Sequence, residues 1–316
     1  MNPEIFAEWL QRQGHRVVQT SSSFWFDQGP KVFQAFPYHW IIEPSEKEIF
    51  TLLKNNNAIG LRYSSSINAP LGKLSYHVVN NSSPFELEIM PRKVRHDINK
   101  GLDYSVIEKI PISRLIVEGW RLRLETLLRQ GREKAENESW WKNLCYSAQD
   151  LPGFDAWGVL RDGQLVSSLL AFTFNDCYTF LYHQSLSDHL QYGINNALFY
   201  VATSNALKQK GINQVFLALQ SLDATQDVDN FKFRMGYLAK PIRQRVVFHP
   251  LIQPLINNNS YKLLAYGQKL FSKNNLLAKA VGLVNFYLQG KLPLANQTWP
   301  GQLILHKEKI NKLIGK

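Results

Sequence analysis

A short apolar segment in the second half of the chain ends with two side chains that can transfer a proton. Tyr182 and His183 lie near the end of residues 177–184, whose aromatic and β-branched composition predicts a strand. Either side chain could pass a proton to or from a bound molecule. Side chains alternate along a strand, so only one of the two can face a cleft on a given side of the sheet. The alternative without chemistry is a packed tyrosine beside an exposed histidine.

The segment after this strand has the pattern of an anion-binding helix start. Gly193, Ile194, Asn195 and Asn196 lead into a helix that we predict over residues 197–211, with Gly211 as its left-handed C-terminal cap. Backbone N–H groups at a helix N-terminus are unpaired and carry about half a positive charge, which suits a phosphate or carboxylate. These four residues are therefore candidates for binding a donor molecule. The alternative is an ordinary turn with Asn195 or Asn196 as the N-cap.

A third candidate is a run of basic residues in the first half. Residues 91–101 predict a helix that starts at a proline and stops at a glycine. Arg92, Lys93 and Arg95 on this helix could hold anionic groups of an acceptor. Otherwise the charge run is the solvated face of the helix.

The elements around the first two candidates alternate between strand and helix. Asp162-Gly163 predicts a hairpin between strands at 157–160 and 164–174. From residue 154 onward the predicted order is β-β-β-α-β-α-β. After the first helix, the predicted elements are a strand at 215–219, a helix at 223–234 closed by Gly236, and a strand at 237–248.

The first half also predicts an α/β arrangement. Ser45 and Glu48 have the spacing of a capping box at the start of a helix. The further predicted elements are strands at 58–63, 74–79 and 106–107, an extended segment at 84–89, and helices at 114–130 and 133–147.

The chain resembles the FemAB-like branch of the GNAT acyltransferase superfamily, in which two GNAT-type domains stand in tandem. The resemblance covers roughly residues 30–248 and rests on the combined order of four motifs. The motifs are the basic helix 92–101, the spacing of Thr126, Arg129 and Gly131, the turn at Asp162-Gly163, and the segment Phe231-Lys232 with Gly236-Tyr237 after it.

This resemblance implies a function as well as a fold. We expect an α/β (α+β) chain of two tandem GNAT-like domains with mixed central sheets, followed by a basic helical tail. We expect an enzyme that transfers an acyl group to an amino or hydroxyl group of a sugar or cell-envelope precursor. The motif implies that Lys232 stabilises negative charge and that Phe231 contributes to the substrate site. Lys232 could otherwise be a solvated lysine on a short helix.

The donor implied by the resemblance is an acyl-CoA such as acetyl-CoA. Leu190 and Asn195 stand where the usual GNAT pyrophosphate loop has Gln or Arg and Gly or Ala. Part of the FemAB branch departs from that loop and uses aminoacyl-tRNA, so an aminoacyl-tRNA-dependent transferase is the second hypothesis. The third is a catalytically silent GNAT fold that binds a partner or a membrane surface through its basic tail.

Charge is distributed unevenly along the 316 residues. The net charge is +11, and residues 240–316 hold twelve basic residues and one acidic residue, Glu308. The whole excess therefore lies in the tail. The predicted domains are 1–110 and 151–250, with bridging helices at 111–150 and a basic helical tail at 251–316.

The remaining sequence features concern location and metals. The first residues do not resemble a signal peptide and no apolar run reaches the roughly 18 residues of a membrane span, so we expect a cytoplasmic protein. The histidines show no metal-ligand spacing, so we expect no metal. Residues 261–289 predict a basic amphipathic segment, which could pack on the second domain or lie on the inner face of an anionic membrane. Asn274, Asn275 and Gly282 are the positions at which this helical segment could be interrupted.

Overall fold

The fold mixes helices and strands throughout. The computed structural model describes residues 2–29, 31–82, 85–88, 90–132, 135–222, 226–271, 274–304, 306–308 and 310, with backbone only at 226–229. In this part of the chain the α-helices are α1 (Pro3–Arg12), α2 (Glu46–Asn55), α3 (Arg92–Tyr104), α4 (Ile112–Arg129), α5 (Glu138–Ala148), α6 (Ile194–Leu207), α7 (Gln226–Arg234), α8 (Asn258–Leu270), α9 (Asn275–Gly290) and α10 (Gly301–Ile304). The strands are β1 (Val17–Gln19), β2 (Phe24–Gly29), β3 (Val32–Phe36), β4 (Gly60–Ser65), β5 (Lys73–Asn80), β6 (Val106–Ile110), β7 (Phe154–Arg161), β8 (Gln164–Phe174), β9 (Cys177–Ser185), β10 (Gln214–Leu219) and β11 (Leu238–Phe248). The predicted mixed α/β fold class is confirmed.

The chain forms two compact units, each assembled from separate stretches of sequence. Unit 1 comprises Met1–Gln13, Val79–Leu217 and Thr225–Leu238, and unit 2 comprises Gly14–Val78, Ala218–Ala224 and Ala239–Lys316. Helices α4 and α5, predicted as a bridge, lie in unit 1. The domain boundaries drawn from the sequence remain a prediction.

Unit 1 is built on a mixed sheet with the order β10-β9-β8-β7-β6. Strand β10 runs parallel to β9, and the other neighbouring pairs are antiparallel. The β7–β8 hairpin turns at Asp162 and Gly163, whose φ angles are +51° and +79°. Positive φ at both central residues matches the type I′ turn that an Asp-Gly pair favours, so the predicted hairpin is confirmed.

Helices pack on this sheet and on each other. Helix α4 lies against β8 and β9, α5 lies beside α4, and α1 lies beside α5. The indole Nε1 of Trp9 on α1 donates to Leu144 O at 3.1 Å, and that of Trp141 on α5 donates to Leu115 O at 2.9 Å. Both tryptophans are buried, so each hydrogen bond satisfies a polar group inside the core.

The sequence wrongly placed a helix stop at Gly101. Helix α3 continues through it to Tyr104. A Cβ built on Gly101 would lie 2.6 Å from Gly193 O and 2.7 Å from the Cβ of Ala197. A glycine is needed at position 101 because α3 crosses the start of α6 closely. The residue that looked like a helix stop in the sequence is therefore a packing contact.

The predicted end of α6 was also misplaced. The helix starts at Ile194, three residues before the expected start, and ends at Leu207 instead of at Gly211. Gly211 does have a left-handed φ of +91°, but it belongs to the turn that leads into β10. The left-handed conformation of Gly211 was predicted correctly, but this residue does not cap α6.

In unit 2 the order of neighbouring strands is β1-β2-β3-β4-β11-β5. Strand β3 is parallel to β4, whereas β4 and β11 are antiparallel. At the start of α2, Ser45 accepts a hydrogen bond from Glu48 N at 3.1 Å. The Glu48 carboxylate instead accepts from Ser21 and Ser22, so half of the predicted capping box forms.

The tail is helical, as predicted, and part of it belongs to the core of unit 2. Asn274 caps α9 and separates it from α8, whereas Gly282 lies within α9. Val284, Phe286 and Tyr287 of α9 are buried in one cluster with Val246 and Phe248 of β11. No helix among the described residues is long and apolar enough to cross a membrane.

Candidate active site

A gap opens in unit 1 where β9 and β10 stop pairing. Their parallel ladder ends at Thr179 and Phe216, although both strands continue. On its other side, β9 shifts register against β8, because Ala171 pairs with Phe180 and Leu170 pairs with Tyr182. Leu181 is therefore the extra residue of a β-bulge, which bends β9 at this position.

A cavity of about 350 Å³ lies at this gap. This volume falls in the range of small-molecule binding sites. Its walls come from β8, β9 and β10, from the end of α4, and from α6 and α7. The lining residues are Thr126, Arg129, Gln130, Leu169, Phe180, Leu181, Tyr182, His183, Asn195, Phe199, Leu217, Phe231 and Lys232.

His183 is held on the α6 side of β9. Its ring meets that of Phe199 edge to face, with centroids 5.0 Å apart. Its Nε2 lies 3.1 Å from Asn195 Oδ1. Burial lowers the pKa of His183 to about 4, and the positive charges of Arg129 and Arg123 also favour the neutral ring.

The hydrogen bond to Asn195 defines the tautomer of this neutral ring. The Oδ1 of Asn195 can only accept, so His183 Nε2 carries the proton and Nδ1 carries the lone pair. The Nδ2 of Asn195 points toward Ser185 Oγ at 3.3 Å, which fixes the amide in this orientation. Among the described residues, Nδ1 of His183 has no hydrogen-bonding partner within 3.5 Å. The arrangement presents an imidazole that can accept a proton.

Arg129 anchors the end of β9 beside this histidine. Its guanidinium donates to Ser185 O at 2.8 Å, Ser185 Oγ at 3.0 Å and Ser187 Oγ at 2.8 Å. Thr126, one turn earlier on α4, accepts from Ser185 N at 3.0 Å. The threonine and arginine of the motif thus position the strand end that carries His183.

Tyr182 borders the cavity, but its ring faces the opposite helices. It meets the rings of Trp140 and Trp141 edge to face, with centroids 6.0 and 6.3 Å away. The guanidinium of Arg123 lies 5.4 Å from its centroid. Burial raises the pKa of Tyr182 to about 12, so this hydroxyl is a poor source of phenolate at neutral pH.

Lys232 and Phe231 reach the cavity from α7. Phe231 packs edge to face on Phe199 at 5.4 Å, which docks α7 against α6. Lys232, the next residue, is half-buried in the cavity wall. The structure therefore brings Lys232 and His183 to one cavity, and their chemical roles remain predictions.

The predicted donor-binding residues divide into two pairs. Gly193 and Ile194 are buried, and a Cβ on Gly193 would lie 2.0 Å from Asp97 O of α3. Asn195 and Asn196 are half-buried, and Asn195 lines the cavity. Packing against α3 therefore accounts for the glycine at 193, while a donor-binding role for the four residues stays a prediction.

The three predicted acceptor-binding residues lie outside the cavity wall. Arg92 and Lys93 are exposed at the start of α3. Arg95 is half-buried and its Nη1 donates to Glu88 O at 3.3 Å. The structure does not bring them together with Lys232 and His183, and a role in holding an acceptor stays a prediction.

Sequence reasoning gave no role to several residues of this site. Ser167 of β8 lies 3.2 Å from Asn195 Oδ1, and Phe199 supports both His183 and Phe231. Thr126 and Arg129 were recognised as a motif without an assigned function. Their side-chain types suit a strand anchor, but the partner strand is about 60 residues away in sequence and only the fold reveals it.

Comparison with known proteins identifies the fold. No family model and no curated protein matches the sequence. FemX aligns with a TM-score of 0.53 at 10% identity, covering 79% of this chain and 92% of that chain. A protein of unknown function from Bacteroides thetaiotaomicron VPI-5482 aligns at 0.53 and 9% identity, covering 76% and 87%.

A third solved structure is the C-terminal DUF2156 domain of a protein assigned as a lysylphosphatidylglycerol synthetase from Agrobacterium fabrum. It aligns with a TM-score of 0.50 at 12% identity, covering 77% of this chain and 86% of that domain. The chain therefore shares its fold with FemX and with this domain, as the resemblance to FemAB-like proteins implied.

Proposed function

We propose that unit 1 transfers an acyl or aminoacyl group from a thioester or ester carrier to an amine or hydroxyl group. One observation carries the proposal. His183, held neutral with Nδ1 available, and Lys232 line the same cavity at the gap between β9 and β10. A base and a cation at one site match the needs of acyl transfer.

The residues have separate roles in this reaction. Nδ1 of His183 takes the proton from the acceptor as its nitrogen or oxygen bonds to the donor's carbonyl carbon. The Lys232 ammonium stabilises the negative charge that develops on the carbonyl oxygen. When the bond from the carbonyl carbon to sulfur or oxygen breaks, the leaving group takes the proton back from His183.

The donor is either an acyl-CoA such as acetyl-CoA or an aminoacyl-tRNA. Burial of Gly193 and Ile194 beneath α3 leaves half of the predicted loop without surface for a pyrophosphate. That observation favours the aminoacyl ester over CoA. A structural neighbour named as a lysylphosphatidylglycerol synthetase is in keeping with aminoacyl transfer.

The proposed acceptor is an amino or hydroxyl group of a sugar or cell-envelope precursor, used in the cytoplasm. If that acceptor is anionic, Arg92, Lys93 and Arg95 on α3 are the proposed contacts for the part of it outside the cavity. The cavity's volume suits the reacting end of such a molecule rather than the whole of it.

Mass spectrometry of the gently purified protein tests the proposal, since a CoA ester, a charged tRNA and an empty protein have distinct masses. The matched variants are Leu217→Trp, which fills the cavity from β10, and Leu128→Trp on exposed α4 surface outside the cavity. We expect a donor on the wild type and on Leu128→Trp and none on Leu217→Trp.

Two results would count against the proposed site. One is a donor that remains at wild-type occupancy in Leu217→Trp. The other is an empty wild-type protein that also fails to bind millimolar acetyl-CoA or micromolar charged tRNA by calorimetry, which would support the catalytically silent alternative.

A further inference from the structure

The outer face of α8 exposes large apolar side chains. The exposed fractions of Leu263, Tyr266 and Leu270 are 73%, 62% and 61%. Their spacing of three and four residues puts them on one face of the helix. Other exposed apolar residues lie just before and after the helix, namely Leu251, Leu255, Phe271 and Leu276. Soluble surfaces seldom expose apolar side chains in such a group without a binding partner.

The inner face of α8 already has a partner. Tyr261 and Leu264 are half-buried against the cluster that contains Phe248 and Tyr287. The helix is therefore fixed to unit 2 by one side, and its apolar outer side is not needed to hold it there.

The charged residues of helices α8 and α9 all have one sign. Lys262 and Lys269 are exposed on the same side of α8 as Leu263 and Leu270, and Lys279 is exposed on α9. The sequence from residue 240 to 307 contains no aspartate or glutamate. The face is thus complementary to a surface that is both apolar and anionic.

We propose that the outer face of α8 docks unit 2 on an anionic membrane surface. Leu263, Tyr266 and Leu270 enter the boundary between headgroups and acyl chains, and Lys262 and Lys269 contact lipid phosphates. A tyrosine suits this depth because its ring is apolar and its hydroxyl stays hydrated. The docking concerns unit 2 and is independent of the proposed reaction in unit 1.

Other occupants fit the face less well. A second copy related by a two-fold axis would bring Lys262 and Lys269 of one chain against the same lysines of the other, which costs free energy. A single-stranded RNA would use lysines and an aromatic ring, but it would leave Leu263 and Leu270 without a role.

The test is co-sedimentation of the full chain with vesicles, one set of pure phosphatidylcholine and one with phosphatidylglycerol added. Truncation after Pro250 is unsuitable, because it would remove α9 from the core of unit 2. The test variants are Leu263→Gln/Leu270→Gln and Lys262→Gln/Lys269→Gln. The matched controls are Val117→Gln, on the exposed face of α4, and Lys208→Gln/Lys210→Gln after α6.

The wild type is expected to sediment with anionic vesicles only and to be released as salt is raised. Loss of both lysines should weaken the binding about 25-fold, roughly fivefold for each. Loss of both leucines should weaken it more than tenfold, and the controls should bind like the wild type.

Three results would overturn the proposal. The first is recovery of the wild type in the supernatant with both kinds of vesicle. The second is a concentration-dependent dimer in sedimentation velocity that Leu263→Gln/Leu270→Gln abolishes. The third is binding of single-stranded RNA, but not of vesicles, that only the lysine substitutions weaken.

Discussion

At the residue scale, the site depends on the protonation state of one histidine. An imidazole exposed to water would be partly charged near neutral pH, and the charged fraction of the ring could not accept a proton. Enclosure of His183 by Phe199 and the neighbouring arginines keeps the ring neutral. Asn195 then selects which nitrogen is available.

We predict that the His183 ring titrates at pH about 4 and has its proton on Nε2 at neutral pH. Nitrogen-15 NMR of the histidine side chains measures both properties. In Asn195→Ala the ring loses its hydrogen-bond acceptor, so both tautomers should be populated. A midpoint near 6.5, or Nδ1–H as the main tautomer in the wild type, would contradict this account.

Arg129 should matter for stability as well as for the site. Arg129→Gln removes the hydrogen bonds that hold Ser185 and Ser187, so the free energy of unfolding should fall by about 1–3 kcal/mol. Arg121→Gln, at an exposed position of the same helix, is the control and should change it by less than about 0.5 kcal/mol. Urea denaturation measures both, and equal effects would show that Arg129 is no anchor.

At the element scale, local patterns identified most elements but not how they cross. The strand at β9, the hairpin turn and the break between α8 and α9 follow from residue types within a few positions. From the sequence, Gly101 was interpreted as a helix stop and Gly193 as a loop residue before a helix. In the structure both lie where α3 and α6 cross. That contact joins segments more than 90 residues apart, so no local pattern encodes it.

The crossing of α3 and α6 predicts a difference between two glycines that share a left-handed backbone. Gly193→Ala adds a Cβ 2.0 Å from a backbone oxygen, whereas Gly211→Ala meets no atom within 4 Å. Strain alone should cost about 1 kcal/mol at Gly211, and strain plus the clash should cost on the order of 3 kcal/mol at Gly193. Thermal denaturation compares them. Similar losses of stability would mean that the helices do not cross so closely.

Only part of the candidate site could be predicted from the sequence. His183, Asn195 and Lys232 were named from their positions in a strand, a helix start and a motif. The cavity that unites them depends on the bulge at Leu181 and on where the β9–β10 ladder ends. Both depend on pairing with distant strands, which the types of the residues in β9 do not specify.

At the scale of the whole molecule, two neutral histidines, one buried and one half-buried, link stability to pH. His183 lies in unit 1 and His77 in unit 2, where burial lowers the pKa of His77 to about 3. In the unfolded chain both would titrate near 6.5. Below that pH the unfolded state binds more protons than the folded state, so the stability decreases as the pH falls.

We predict that the free energy of unfolding declines between pH 6.5 and 5.5, a window in which unfolded carboxylates are still almost fully ionised. His77, which is 1% exposed, should contribute at most about 1.4 kcal/mol per pH unit. Urea denaturation at several pH values measures the slope. His306→Gln, at an exposed histidine, is the control and should keep the wild-type slope. A stability that is flat or rises as the pH is lowered through this window would contradict both assignments.

The central claim is that Lys232 and His183 form an acyl-transfer site. The most direct measurement is the rate of hydroxamate formation with hydroxylamine as a general acceptor, with acetyl-CoA and charged tRNA supplied as separate donors. We expect one donor to support the reaction and Lys232→Ala to slow it on the order of a hundredfold with little change in Tm. Arg234→Ala, at an exposed position of the same helix, should react like the wild type. An uncatalysed rate with both donors, or an undiminished rate in Lys232→Ala, would contradict the account.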